Sequence, residues 1–186
     1  MEGRPTGDSE LLVRAQRGDT AAYEEIVHRY QQIAFRTALV ITGSAPEAED
    51  AAQDGFIKAY RALDRFRAGA DPRPWLLRIV ANEARNRVRS SGRRQGLELR
   101  LIAGFRQGDA VPSPEAAAVA AEDHSALLRE LNQLDGDDRR VIALRYLLEL
   151  SSEETAVALG VPEGTVKSRL SRALARLRER MEVAGA

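Results

Sequence analysis

Apolar side chains recur along this chain at intervals of three and four, the period of a helix that buries one side. From Ser9, the positions Leu11, Leu12, Ala15, Ala22, Ile26, Tyr30, Ala34 and Ala38 keep that phase, with an interruption at Gly18-Asp19. Asp19-Thr20 predicts a helix start, and Thr42-Gly43-Ser44 a stop. Ser44 or Ala45 then leads into Pro46, near a first helical position where its missing N–H costs nothing. Ala48, Ala52, Phe56, Ala59, Tyr60 and Leu63 line one side of the helix that follows. The loop RAGADPRP breaks the pattern, and Trp75 restarts it. Strand-like alternation does not persist over any useful length, so the expectation is an all-α chain.

Between Gln95 and Pro114 the texture changes, with Gly96, Gly104, Gly108, Pro112 and Pro114 excluding a long helix. The segment LELRLIAGF is too apolar for a solvated tether; it is expected to pack on a domain or lie in a partner's groove. Helical spacing returns from Ala116 to Leu134, Asp135-Gly136 reads as a turn, and Val141, Leu144, Tyr146, Leu147 and Leu148 mark another helix. The expected organisation is a helical domain over 1–94, a linker over 95–121 and a second helical domain over 122–186.

The last stretch, SSEETAVALGVPEGTVKSRLSRALARLRER, is the most specific. Ser151 and Glu154 stand at capping-box spacing, Ala156 is small where a second helix crosses, and Gly160 suits a left-handed turn. Pro162 forces a fresh start. Val166, Leu170, Ala173, Leu174 and Leu177 are expected to be buried, which turns Thr165, Lys167, Ser168, Ser171 and Arg172 outward. That is the layout of a helix-turn-helix whose second helix enters a major groove. Lys167 and Arg172 can read guanine edges or hold phosphates, and Ser168 can bond to either. A helical hairpin with a merely solvated basic face would share the same charges.

Charge sharpens this picture. The net charge is zero, yet Asp64–Arg94 holds nine Arg against three acids, and the segment from Val161 holds six Lys or Arg against three Glu. Glu47, Glu49, Asp50 and Asp54 crowd the helix before the loop, whereas Arg78, Arg85, Arg87, Arg89, Arg93 and Arg94 crowd the one after it. An acidic face beside a basic one suits a protein placed between a basic partner and nucleic acid. With no cysteine, there is no disulfide framework, thiolate site or thiol switch. No phosphate loop is present, and His28 and His124 lack triad partners, so no catalytic residue, metal or cofactor is expected. No apolar run reaches membrane-spanning length and MEGRPTGDSE lacks a signal core, so the expected location is the cytoplasm without membrane insertion. The chain ends at MEVAGA, soon after the basic helix, and no appended regulatory domain is expected.

Taken in order, DSELLVRAQRGDTAAYEEIVHRYQQIAFRTALVITGSAPEAEDAAQDGFIKAYRALDRF, WLLRIVANEARNRVR and VIALRYLLELSSEETAVALGVPEGTVKSRLSRALARLRE resemble the bacterial extracytoplasmic-function (ECF) sigma factors of the sigma-70 class. The resemblance covers nearly the whole chain. It implies an initiation factor that docks on core RNA polymerase and binds the −35 and −10 promoter elements, on duplex and on non-template single strand. By position, Glu49, Asp50, Gln53 and Asp54 match the segment that meets the clamp helices of the largest polymerase subunit. Phe66, Arg67 and Asp71 fall in the loop that captures a flipped base. Arg78, Asn82, Arg85, Asn86 and Arg89 match the −10-binding helix, and Thr165, Lys167, Ser168, Ser171 and Arg172 the −35-binding helix. The resemblance also implies an anti-sigma factor, often at the membrane, as a regulatory partner, and a linker that threads the RNA exit channel.

The chain departs from the family at Ala51, Ala52 and Gly55, where larger or hydroxyl-bearing residues are usual. A mid-helix glycine costs about 1 kcal/mol relative to alanine, so Gly55 implies either a weakened helix or close approach of another backbone. The two prolines and Ala70 of the loop also differ from the more polar family versions. Two other functions fit the residues less fully: a stand-alone helix-turn-helix regulator binding duplex DNA as a dimer, and a protein-interaction module that sequesters polymerase.

Overall fold

The computed structural model describes residues 7–91 and 127–184. Linker residues 95–121, the helix expected before residue 127, and His124 lie outside the described residues. Among the described residues there are helices and turns and no strand. They form two separate helical units, one within Met1–Arg94 and the other within Gln95–Ala186.

In the first unit, α1 (Asp8–Gln16) packs on α2 (Thr20–Thr42), and α2, α3 (Ala45–Arg61) and α4 (Pro72–Ser91) pack on one another. Local chemistry sets the boundaries. The Asp19 side chain accepts from the Ala22 N–H at 3.1 Å to cap α2, whose other end closes on Gly43 at φ 71°. Pro46 stands in the first turn of α3, as the sequence implies. Leu12, Ile26, Leu39, Leu76 and Val80 fill the centre and are fully buried.

Apart from Phe56, the buried side of α3 is made of small residues: Ala48, Ala51, Ala52, Gly55 and Ala59. A β-carbon built on Gly55 would lie 2.7 Å from Val80 Cγ2 and 3.1 Å from Val80 Cα. The reading of Gly55 as a point of close backbone approach therefore holds, and the approaching backbone is that of α4.

In the second unit, residues 127–133 form α5, and α6 (Gly136–Ile142) starts on Asp135, which accepts from the Asp137 and Asp138 N–H groups. The helix expected through Leu148 is instead α-helical only to Ile142. It loosens into a π turn over Ala143–Leu147, closed by the Leu148 N–H on Ala143 O at 3.0 Å. The wider turn shifts the phase so that Leu144, Leu148 and Leu150 face inward while Tyr146, which the pattern counted with them, is 53% exposed.

The capping box at Ser151 is complete. Its hydroxyl accepts from the Glu154 N–H at 3.0 Å, and the Glu154 carboxylate accepts from the Ser151 N–H at 2.7 Å. Because Glu154 is itself buried, Ser151→Ala is expected to cost about 1–2 kcal/mol. Thermal unfolding of the variant checks this; an unchanged midpoint would mean that water replaces the hydroxyl.

Helix α7 (Ser152–Leu159) ends on Gly160 at φ 70°, and α8 (Glu163–Ala184) follows Pro162. Along α8, Val166 and Ala173 are buried as expected, but Leu170, Leu174 and Leu177 are only half-buried. A helix of 22 residues outruns an eight-residue partner such as α7, so its apolar stripe is covered unevenly.

Candidate nucleic-acid and polymerase interface

Helical phase sorts the cations of α8 into two groups with different work. Thr165 is half-exposed and Lys167, Ser168, Ser171 and Arg172 are exposed, which leaves a polar row open to solvent. Lys167 contacts Glu163 one turn back at 2.8 Å, an exposed pair that contributes little, and Arg172 Nε donates to Ser168 O at 3.3 Å. By contrast, Arg169, Arg176 and Arg180 are held by acids of the preceding helices. Arg169 meets Asp137 at 3.1 Å, Arg180 meets Glu130 at 3.0 Å, and Arg176 donates to the buried Asp138.

Asp135, also beside Arg176, has its carboxyl held below the usual carboxylate range. The Asp138 N–H bond is the chief cause, and the charges of Arg176 and Arg169 add to it. The spacing could have revealed this split: residues 169, 176 and 180 follow the buried Val166 and Ala173 at helical intervals. These arginines belong to the fold, whereas Lys167, Arg172 and Arg178 stay exposed.

The same division holds on α4. Arg78, Asn82, Asn86 and Arg89 are exposed along one face, with Arg85 half-buried among them. The Arg85 guanidinium donates to Asn82 Oδ1. Its pKa is lowered, first by burial and then by the positive charge of Arg89, so an anion on this face would relieve it. Arg87, grouped with these cations in the sequence, is turned the other way. It follows the buried Val80 and Ala84 and reaches across to α3, binding Asp50 at 3.0 Å and Asp54 at 2.6 Å.

Two residues expected to contact polymerase are thus already tied to a cation of the same unit, while Glu49 and Gln53 lie exposed on α3. Glu49 and Gln53 also border a groove between α2 and α3, with Val27, His28, Gln31 and Phe56 among its other walls.

The loop between α3 and α4 requires a correction. Phe66, expected to line a base pocket, is 4% exposed and packs its ring on Trp75 with centroids 5.2 Å apart. A sealed aromatic ring cannot stack a base without leaving the core; here it anchors the loop instead. Arg67 and Asp71 remain exposed. Asp71 Oδ1 accepts from the Arg73 N–H at 2.9 Å and so starts α4. A turn closed by the Ala70 N–H on Arg67 O at 3.1 Å places Gly69 at φ 81°, a conformation that glycine adopts without strain.

Of the two helical units, one carries an acid-and-cation helix pair and the other ends in a helix-turn-helix whose second helix is exposed along one side. Residues 26–94 match sigma-70 region 2, and residues 124–177 match sigma-70 region 4. The RNA polymerase sigma-H factor of Pseudomonas aeruginosa is 37% identical over 172 residues, 89% of each chain. The ECF RNA polymerase sigma-E factor of Escherichia coli K12 is 36% identical over 174 residues, covering 89% of this chain and 90% of that one.

Among solved structures, CnrH in complex with the cytosolic domain of CnrY superposes with a TM-score of 0.62 at 26% identity, over 95% of this chain and 97% of that one. The sigma factor RpoE of Bartonella quintana, solved with the anti-sigma factor NepR, gives 0.55 at 28% identity, over 86% and 98%. This chain belongs to the sigma-70 family of RNA polymerase sigma factors, in its ECF group, and acts as an alternative sigma factor in transcription initiation. Among the described residues, no helix is long and apolar enough to cross a membrane.

Proposed function

We propose that three surfaces divide the work of initiation. Glu49, Asp50, Gln53 and Asp54 on α3 dock on the clamp helices of the largest polymerase subunit, where carboxylates meeting basic side chains speed encounter and set register. Arg78, Asn82, Arg85, Asn86 and Arg89 on α4 hold the −10 element, the arginines on phosphates and the asparagines on bases or backbone. Arg67 and Asp71 border the place where one non-template base is taken after flipping. Thr165, Lys167, Ser168, Ser171 and Arg172 read the −35 duplex. Strand opening then draws on the binding of unstacked bases, whose extrusion costs a few kcal/mol, and needs no hydrolysis by this chain.

The observation that carries this reading is the segregation on α4: Arg87 is closed onto α3 while Arg78, Asn82, Asn86 and Arg89 stay open to solvent. An anti-sigma factor that covers the α3 face is the regulatory partner we infer, supported by the NepR complex of RpoE. The cytoplasm is the compartment in which polymerase is met.

Core polymerase reconstituted with this chain and genomic DNA tests the reading, with the transcripts sequenced. Initiation clustered at sites sharing −35 and −10 elements is expected, and failure of the chain to capture core polymerase would overturn it. Within that assay, Glu49→Lys with Gln53→Lys is expected to weaken polymerase capture by tenfold or more while leaving the unfolding midpoint near wild type. Unchanged capture would move the docking surface elsewhere.

A further inference from the structure

The loop proposed to take the base is held from outside its own helices. Gln16, the last residue of α1, donates its side-chain amide to two carbonyls at the root of the loop, Leu63 O at 2.6 Å and Phe66 O at 2.9 Å. Ser9, two helical turns earlier, uses its hydroxyl to accept the Gly69 N–H at the tip, at 2.9 Å. The seven-residue spacing brings both side chains to one face of α1.

Helix α1 is itself pinned to α2. Asp8 accepts from Arg29 at 2.6 Å and from the Tyr30 hydroxyl at 2.5 Å, and Arg14 meets Asp19 at 2.7 Å. Leu11, Leu12 and Ala15 seal its inner side. A rigid element thus reaches over a glycine-containing turn and satisfies its backbone at both ends. Gly69 supplies no side chain to pack, and nothing lies within 4 Å of where its β-carbon would be. Backbone bonds are therefore the means by which the loop tip is located.

We propose that α1 is a clip for the base-capturing loop, with Gln16 and Ser9 as positioning residues that preset Arg67 and Asp71 for the extruded base. The proposal rests on the reading of this loop as the base-taking element. Neither residue touches DNA in this scheme. Ordering the loop beforehand spares the complex that cost during melting, so its effect falls on promoter opening and not on −35 binding or polymerase capture.

Limited trypsin digestion of the free full-length chain tests the clip without reference to DNA, because Arg67 is an exposed cleavage site within the loop. Gln16→Glu sets a carboxylate against two carbonyl oxygens, and Ser9→Ala removes the acceptor at the tip. The combined variant is expected to be cut after Arg67 about tenfold faster, with other sites unchanged. Ser9→Thr, which keeps the hydroxyl, is expected to restore the Ser9→Ala rate to that of wild type. In holoenzyme, the combined variant is expected to open a promoter carrying 2-aminopurine in its −10 non-template strand about tenfold more slowly, with −35 duplex binding unchanged.

Unchanged cleavage after Arg67 overturns the clip. Faster cleavage with unchanged opening leaves the clip in place but overturns the base-capture reading on which its role rests. Cleavage that accelerates equally at all sites, with a lowered unfolding midpoint, overturns the positioning role in favour of a general structural one. Ser9→Ala alone serves as the second test if Gln16→Glu does not fold.

Discussion

Replacing Lys167 and Arg172 together with alanine is expected to reduce −35-dependent transcription by roughly 30- to 1,000-fold, with polymerase capture unchanged. The estimate comes from two contacts of about 1–2 kcal/mol each, within the range for base or phosphate contacts. Both side chains are open, Lys167 at 68%, and neither is committed to the core. The variant is also expected to show a shallower dependence of binding on salt, since each lost phosphate contact removes roughly one released counterion.

The informative control lies on the same helix, at Arg176. Arg176→Ala leaves the buried Asp138 carboxylate without its cation, which is expected to cost about 1–3 kcal/mol of folding stability. The two variants differ by the same type of substitution on a single helix, yet one is read in a promoter assay and the other in a melting curve. If Lys167 and Arg172 shifted the melting midpoint and Arg176 shifted promoter use, the assignment of the two faces would be reversed.

Gly55→Val is expected to lower the stability of the first unit by about 3 kcal/mol or more, and Gly55→Ala by about 0–2 kcal/mol. Two terms oppose each other in the alanine variant. Helix propensity improves by about 1 kcal/mol. Against it, the new methyl overlaps Val80 Cγ2 at 2.7 Å and crowds Val80 Cα at 3.1 Å, and overpacking of this kind costs about 1–3 kcal/mol.

The side chain of Val80 has little room to yield because it is fully buried, and its Cα can move only with α4. Valine adds two further methyls and loses most of the propensity gain, so overlap dominates. For a unit of this size, each kcal/mol corresponds to about 4–8 °C in the unfolding midpoint. Scanning calorimetry of both variants checks this. An alanine variant more stable than wild type would show that α4 shifts outward at no cost.

Much of the architecture was legible because it is local. Asp19 and Gly43 bracket α2, Ser151 and Glu154 form their box, and Gly160 takes the left-handed turn, all from contacts within a few residues. Apolar phase found the inner sides of the long helices for the same reason. It failed at Tyr146, where a π turn changed the period, and at Leu170, Leu174 and Leu177, where coverage depends on how far a neighbouring helix extends. Phe66 was misplaced because an aromatic beside a loop has the same local pattern whether it faces solvent or Trp75.

Composition and order along the chain were enough to establish an all-helical protein with two modules, an acidic segment before a basic one and a capped helix-turn-helix. Those properties depend on neighbours in sequence, which the chain carries wherever it goes. What folding alone decided was the pairing of charged and polar side chains. Arg87 went to Asp50 and Asp54, Arg176 to Asp138, and Gln16 to two carbonyls more than forty residues away. An arginine's partner is chosen by which helices meet and at what phase, and that information exists only once distant segments are packed together.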